Sequence, residues 1–178
     1  SMVGVDDRAA AYQAVSYLIQ QGHRKIAVLG GPATSYPSMM RRQGAQQAME
    51  DAGIRFEDKL YGLSNYDFES AYHAMNGLLA RRAEFTALFA MSDVIAFGAI
   101  RALVSAGLQV PEDVSVIGFD GITMSRYCVP VMTTIVQPSE QIALQSIELL
   151  VRQIEHGAPA QTVTLQPELQ QGESVRAI

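Results

Sequence analysis

Short apolar runs that stop on glycine or a carboxylate set the rhythm of this chain. They are Ile26-Ala27-Val28-Leu29 before Gly30-Gly31, Ala87-Leu88-Phe89-Ala90 before Met91-Ser92-Asp93, and Val114-Ser115-Val116-Ile117 before Gly118-Phe119-Asp120. Runs that are apolar on both faces read as strands of a parallel sheet covered on both sides. Helical spacing fills the intervals. Asp6-Asp7 place acidic groups at the start of a first helix, Val15, Leu18 and Ile19 form its apolar face, and Gly22 closes it ahead of His23-Arg24-Lys25. Residues 37–53 and 69–79 read as further helices, 60–63 and 85–90 as strands. Asp93 is expected to cap a helix that Gly107 stops. The alternation predicts an α/β fold, a parallel sheet flanked by helices. In such a sheet ligands bind just beyond the carboxyl ends of the strands, where these glycines and carboxylates fall.

The rhythm breaks after Asp120. Residues 121–130 read as irregular, 132–136 as a short strand, and Pro138 opens a long helix to about residue 155. Two strand-like runs, 161–165 and 168–172, close the chain. The long helix is apolar around much of its circumference, with Ile142, Ile147, Leu150 and Ile154 on one stripe and Leu144, Leu149 and Val151 on other faces. Such a helix needs cover on more than one side.

Composition narrows the function classes. The 178 residues suit one sizeable core, and 48% hydrophobic with 17% charged residues suits a globular domain. A formal charge of −5 with no basic cluster larger than a pair argues against a nucleic-acid surface on this segment. Cys128 is the single cysteine, so no internal disulfide forms and a reducing cytoplasm is the expected home. No stretch has the length and apolarity of a membrane helix, and no secretory signal opens the sequence. Ser1-Met2 reads as an addition to a fragment of something longer.

Catalytic signatures are missing. After Gly30-Gly31 the next glycine is Gly44, so there is no dinucleotide fingerprint, and neither a phosphate loop nor a G-x-S-x-G elbow occurs. His23, His73 and His156 lack metal-ligand spacing and are expected at the surface or as caps; Cys128 is expected as a packed thiol without a base. No cofactor is implied. What remains is polar groups at strand ends. Asp120 could accept hydroxyls from a sugar or satisfy its own turn. Arg41, on the second helix, could reach over the sheet edge or lie solvated. Tyr66 could stack on a ligand ring or plug the core.

At this point the residues resemble a known family. Asp6-Asp7, Gly22-His23-Arg24-Lys25-Ile26-Ala27, Gly30-Gly31-Pro32, Arg41 three before Gly44, Ser92-Asp93 leading into Ala96-Phe97-Gly98-Ala99, the run 110–120, and Thr133-Thr134-Ile135-Val136-Gln137-Pro138 are similar to the effector-binding core of the lactose/galactose-repressor family of bacterial transcription regulators. The resemblance covers essentially the whole chain. It implies one lobe of a type I periplasmic-binding-protein-like fold, truncated: 6–132 and 160–178 as the distal lobe, and 133–159 as a crossover belonging to the absent proximal lobe. The long helix would then be mobile, displaced, or buried against another copy of the chain.

Position by position, the resemblance makes Arg41, Tyr66, Ser92, Asp120 and Gln137 ligand-binding residues. Ser92 departs from the asparagine many members carry. Phe97, Tyr127 and Cys128 become candidates for a homodimer surface. The implied function is sensing of a sugar, sugar phosphate or similar effector by a cytoplasmic, non-enzymatic repressor, with operator DNA bound only through a separate N-terminal headpiece. A periplasmic sugar-binding protein with the same lobes is one rival. An enzyme using Asp93 and Asp120 as an acid–base pair is the other.

Overall fold

The three buried runs lie next to one another in the structure, a computed structural model that describes residues 1–82 and 84–178. They form β2 (Ile26–Gly30), β4 (Ala87–Ala90) and β5 (Ser115–Asp120), the centre of a six-stranded sheet. Its remaining strands are β3 (Tyr61–Leu63), β6 (Thr133–Val136) and β8 (Glu168–Gln170), and the order is β3-β2-β4-β5-β6-β8. All neighbours are parallel except β8, which runs antiparallel to β6. Every residue of β2 and β4 is buried, as their uninterrupted apolar character requires.

The helices cover both faces. Helices α1 (Asp7–Gln20) and α2 (Tyr36–Asp51) pack on each other, as do α3 (Phe68–Ala80) and α4 (Asp93–Ser105). The chain leaves β2 for β3 on one side, then returns past β2 to β4 on the other. Right-handed crossovers put α2 on one face and α3 and α4 on the opposite one. The order reverses between β2 and β4, and that switch point is where a crevice opens at the carboxyl edge.

One glycine sets the approach of each helix pair. A Cβ on Gly44 of α2 would collide with the backbone carbonyl of Arg8 in α1, and one on Gly98 of α4 with that of Phe68 in α3. A Cβ on Gly77, also helical, would meet nothing within 4 Å among the described residues outside its own helix backbone. The flexibility of glycine disfavours a helix, so at Gly44 and Gly98 it is retained for close packing.

Asp93 ties α4 to the carboxyl edge and is not the cap expected from the sequence. The cap is Ser92, whose hydroxyl accepts from the Ile95 amide at 3.1 Å. Asp93 is fully buried and instead accepts from the Thr134 hydroxyl at 2.6 Å and the Ile122 amide at 2.8 Å. Gly118 in β5 makes room, because a Cβ there would overlap the Asp93 carboxylate. Burial pushes Asp93 up to about 6, aided by nearby Asp120 and opposed by its two hydrogen bonds.

Three further expectations change. His23 is buried, 1% exposed, with its ring bonded to the Thr86 hydroxyl at 2.9 Å and near the Arg176 carbonyl at 3.2 Å. It is neither a surface residue nor a cap, and burial lowers its pKa. A strand not foreseen, β1 (Met2–Val5), pairs in parallel with β7 (Thr162–Leu165) in a separate two-stranded sheet. The 162–165 run therefore sits apart from the larger sheet with which the sequence grouped it. Helix α5 (Ser139–His156) packs on β1 through Leu149, its single buried residue, while Leu144, Ile147, Leu150, Val151 and Ile154 are exposed. Its main packing partner is β1 of the two-stranded sheet.

Two measurements follow from this packing. Gly98→Ala should lower stability by about 1–3 kcal/mol through overpacking, whereas Gly77→Ala should raise it by roughly 0.5–1 kcal/mol; urea unfolding distinguishes them. Because the folded state holds the Asp93 proton more tightly than the unfolded chain, stability from this group is full below its ordinary value of 3.8 and is lost as pH rises through about 6. In Asp93→Asn the amide can donate to Thr134 and still accept from Ile122. Unfolding curves between about pH 4 and pH 7 should lack a loss on the order of 2–3 kcal/mol that the unaltered chain shows.

Candidate functional site

Every strand of the parallel sheet but β2, which ends on glycines, delivers a polar or aromatic residue to the same edge. Following the sheet order, Tyr66 comes after β3, Gly31 after β2, Ser92 after β4, Asp120 ends β5, and Gln137 follows β6. Arg41 reaches this row from the second turn of α2. Helix α2 begins on the side chain-free Gly30-Gly31 segment, and Ser38 in its first turn donates to the Gly31 carbonyl at 3.2 Å.

Arg41 is the centre of the row. It is 6% exposed, a position where a cation needs partners on every side. Its Nε donates to Asp7 Oδ1 at 2.7 Å. Its Nη1 donates to the Met91 carbonyl at the end of β4 and lies 3.5 Å from Asp120 Oδ1. The guanidinium lies over the Phe119 ring, 3.6 Å from the ring centroid. One side chain thus joins the first helix, β4 and β5.

Asp120 is held from the other side by Gln137, whose Nε2 donates to Oδ1 at 2.7 Å and whose amide donates to the Asp120 carbonyl at 3.0 Å. The backbone of Asp120 has φ +107°, a conformation that side chains rarely adopt. The next residue, Gly121, also has positive φ, and a Cβ there would strike Val136. Asp93 pins the end of this turn through Ile122. Such strain persists only where the surroundings over-determine it, and here it aims a carboxylate along the sheet edge. Burial pushes Asp120 above the ordinary carboxylate value, against the pull of Arg41 and the Gln137 hydrogen bond.

Arg41, Asp120 and Gln137 are therefore brought together in one hydrogen-bonded group. Tyr66 stands on the same rim with φ +60°, its ring seated on Gly31 where a Cβ would otherwise lie. The ring packs against the core and its hydroxyl is buried with no hydrogen-bond partner among the described residues. Ser92 is buried, and its oxygen is committed to capping α4, which leaves its O–H as donor. Asp7 and Phe119 belong to the site and were not anticipated. The acidic pair at the opening of α1 reads as a helix start, although Asp6 alone does the capping, through the Ala9 amide. The second carboxylate was the available signal.

The three residues proposed for subunit contact lie elsewhere. Phe97 on α4 stacks on Phe68, with ring centroids 6.2 Å apart. Tyr127 is 77% exposed, and Cys128 is half-buried with its thiol near the Ser125 and Pro130 carbonyls.

Known proteins share this fold. The periplasmic binding protein-like domain matches residues 15–175. The HTH-type transcriptional regulator MalR of Clostridium butyricum is 38% identical over 174 residues, 98% of this chain and 52% of that protein. The HTH-type transcriptional repressor CytR of Escherichia coli is 39% identical over 153 residues, 86% of this chain and 45% of that one. The chain spans about half the length of the curated relatives it matches. Among solved structures, a transcriptional regulator CelR–cellobiose complex superposes with TM-score 0.94 at 34% identity, over 98% of this chain and 54% of that one. A sugar-binding LacI-family regulator from Escherichia coli, complexed with phosphate, gives 0.89 at 34% identity, over 98% and 63%. The chain belongs to the periplasmic binding protein-like domain family, in the form that serves as the effector-binding domain of LacI-family transcriptional regulators.

Proposed function

We propose that this chain is the metabolite-sensing part of a cytoplasmic, homodimeric transcriptional repressor, and that it binds a small hydroxyl-bearing effector without transforming it. The observation that carries the reading is the Arg41–Asp120–Gln137 group at the carboxyl edge of the sheet. There, donors and an acceptor lie within 3.5 Å of each other on one edge. A carbohydrate hydroxyl accepts and donates at once, so it can satisfy the two sides of such a group. Each charge-assisted bond contributes roughly 1.5–3 kcal/mol. The cellobiose in the related CelR complex is a ligand of this type.

In this reading the six-stranded sheet is one lobe of the sensor, while β1, α5 and β7 belong to a second lobe that closes over the effector. Their separate pairing and the exposed apolar face of α5 support that division. Gln137 stands where the chain passes between the two, so a ligand held by Asp120 and Gln137 senses their relative orientation. The effector must favour one orientation by differential affinity, since equal binding to both shifts nothing. Phe97, Tyr127 and Cys128 are assigned to the subunit interface that transmits the change to a DNA-binding headpiece.

Asp120→Asn tests the site directly. The exchange removes the charge and leaves Arg41 paired with Asp7, so the folded domain should retain its melting temperature. Affinity for a sugar found by screening the intact protein should fall about 10- to 100-fold by calorimetry. An unchanged affinity would remove Asp120 from the binding site.

A further inference from the structure

We infer that Asp7 sets the charge class of the effector: the site selects an uncharged, hydroxyl-rich ligand and rejects phosphorylated ones. The inference rests on the binding site proposed above and narrows what that site accepts.

Arg41 is the cation that an anionic ligand would seek, and its charge is already answered. Asp7 meets Nε at 2.7 Å, with both side chains largely buried, at 7% and 16% exposure. Asp120 stands 3.5 Å from Nη1 and is 27% exposed. Two carboxylates against one guanidinium leave this group with a formal charge of −1. Gln137, the other donor on Asp120, adds hydrogen-bonding capacity without charge. The guanidinium face toward Phe119 is occupied by the ring.

An incoming phosphate would therefore meet Asp120 at close range, with Arg41 already engaged by Asp7. In a partly desolvated site that repulsion is weakly screened. A neutral hydroxyl escapes that repulsion, because it accepts from Arg41 or Gln137 and donates to Asp120. Asp7 acts here as a positioning residue. It need not touch the ligand; it fixes the guanidinium through Nε and cancels the charge that would otherwise recruit anions.

The test uses the intact protein and inorganic phosphate at constant ionic strength, with thermal shift and calorimetry as readouts. The unaltered protein should show no saturable phosphate binding. Asp7→Asn should gain it, and Asp7→Asn combined with Asp120→Asn should bind phosphate at least about tenfold more tightly than Asp7→Asn alone. Asp7→Glu, which keeps the charge, should still exclude it and serves as the check that the fold tolerates change at this position. Saturable phosphate binding by the unaltered protein, abolished by Arg41→Met, would overturn the inference. So would an Asp7→Asn variant that still shows no saturable phosphate binding. Titration with a neutral sugar found by screening runs in parallel. Sugar binding lost in Asp120→Asn upholds the underlying site whatever phosphate does, and sugar binding indifferent to Asp120 removes that site together with the inference.

Discussion

Arg41 carries a full charge at a position almost closed to water, and much of the carboxyl edge is arranged around that fact. A buried cation is tolerable only when its donors and its faces are matched. Asp7 reaches it from α1, the Met91 carbonyl from β4, Asp120 from β5, and the Phe119 ring lies beneath it. These partners come from elements far apart in sequence, so the guanidinium can be satisfied only when helix and strands are correctly assembled. The same requirement fixes the relative positions of the groups that a ligand would meet.

The close packing of α1 on α2 serves this centre. Gly44 lets the two helices approach at the turn after Arg41, which brings Asp7 within reach of its Nε. On the far side, Asp93 pins the turn that carries Asp120 by bonding Ile122 and Thr134, and Gly118 vacates the space its carboxylate fills. The positive φ at Asp120 is held between these constraints. Packing glycines, a buried carboxylate and a strained turn thus act on one geometric outcome, the placement of Asp120 beside Arg41. For a sensor this matters more than raw affinity, because a ligand can bias lobe orientation only if its anchor on one lobe is stiff.

The sheet was legible because strands buried on both faces leave continuous apolar runs, and glycine or a carboxylate marks where each stops. Arg41, Asp120 and Gln137 were grouped as ligand-binding residues only through the family resemblance, since nothing local reports that positions 41, 120 and 137 converge. Asp7 was hidden by a more ordinary role: an acidic pair at the opening of a helix reads as a cap, and only tertiary structure separates Asp6, which caps, from Asp7, which binds arginine. His23 misled for a related reason. It follows a helix end, where histidine is usually exposed, but the C-terminal segment returns over it, with Ile178 bonding Gln21 and the Arg176 carbonyl beside the ring. Strand β1 was too short and glycine-interrupted to register, and its partner β7 lies near the other end of the chain.

The central claim is that Arg41 earns its buried place through its charge, by pairing with Asp7 and Asp120. Urea unfolding of Arg41→Met as a function of pH tests it most directly. Two carboxylates stripped of their cation should destabilise the folded state by about 3–5 kcal/mol at neutral pH. That deficit relative to the unaltered chain should shrink steadily as the pH falls toward about 4 and the carboxylates take up protons. A deficit of the same size at every pH would contradict the account, because it would mean that the arginine contributes packing and not charge.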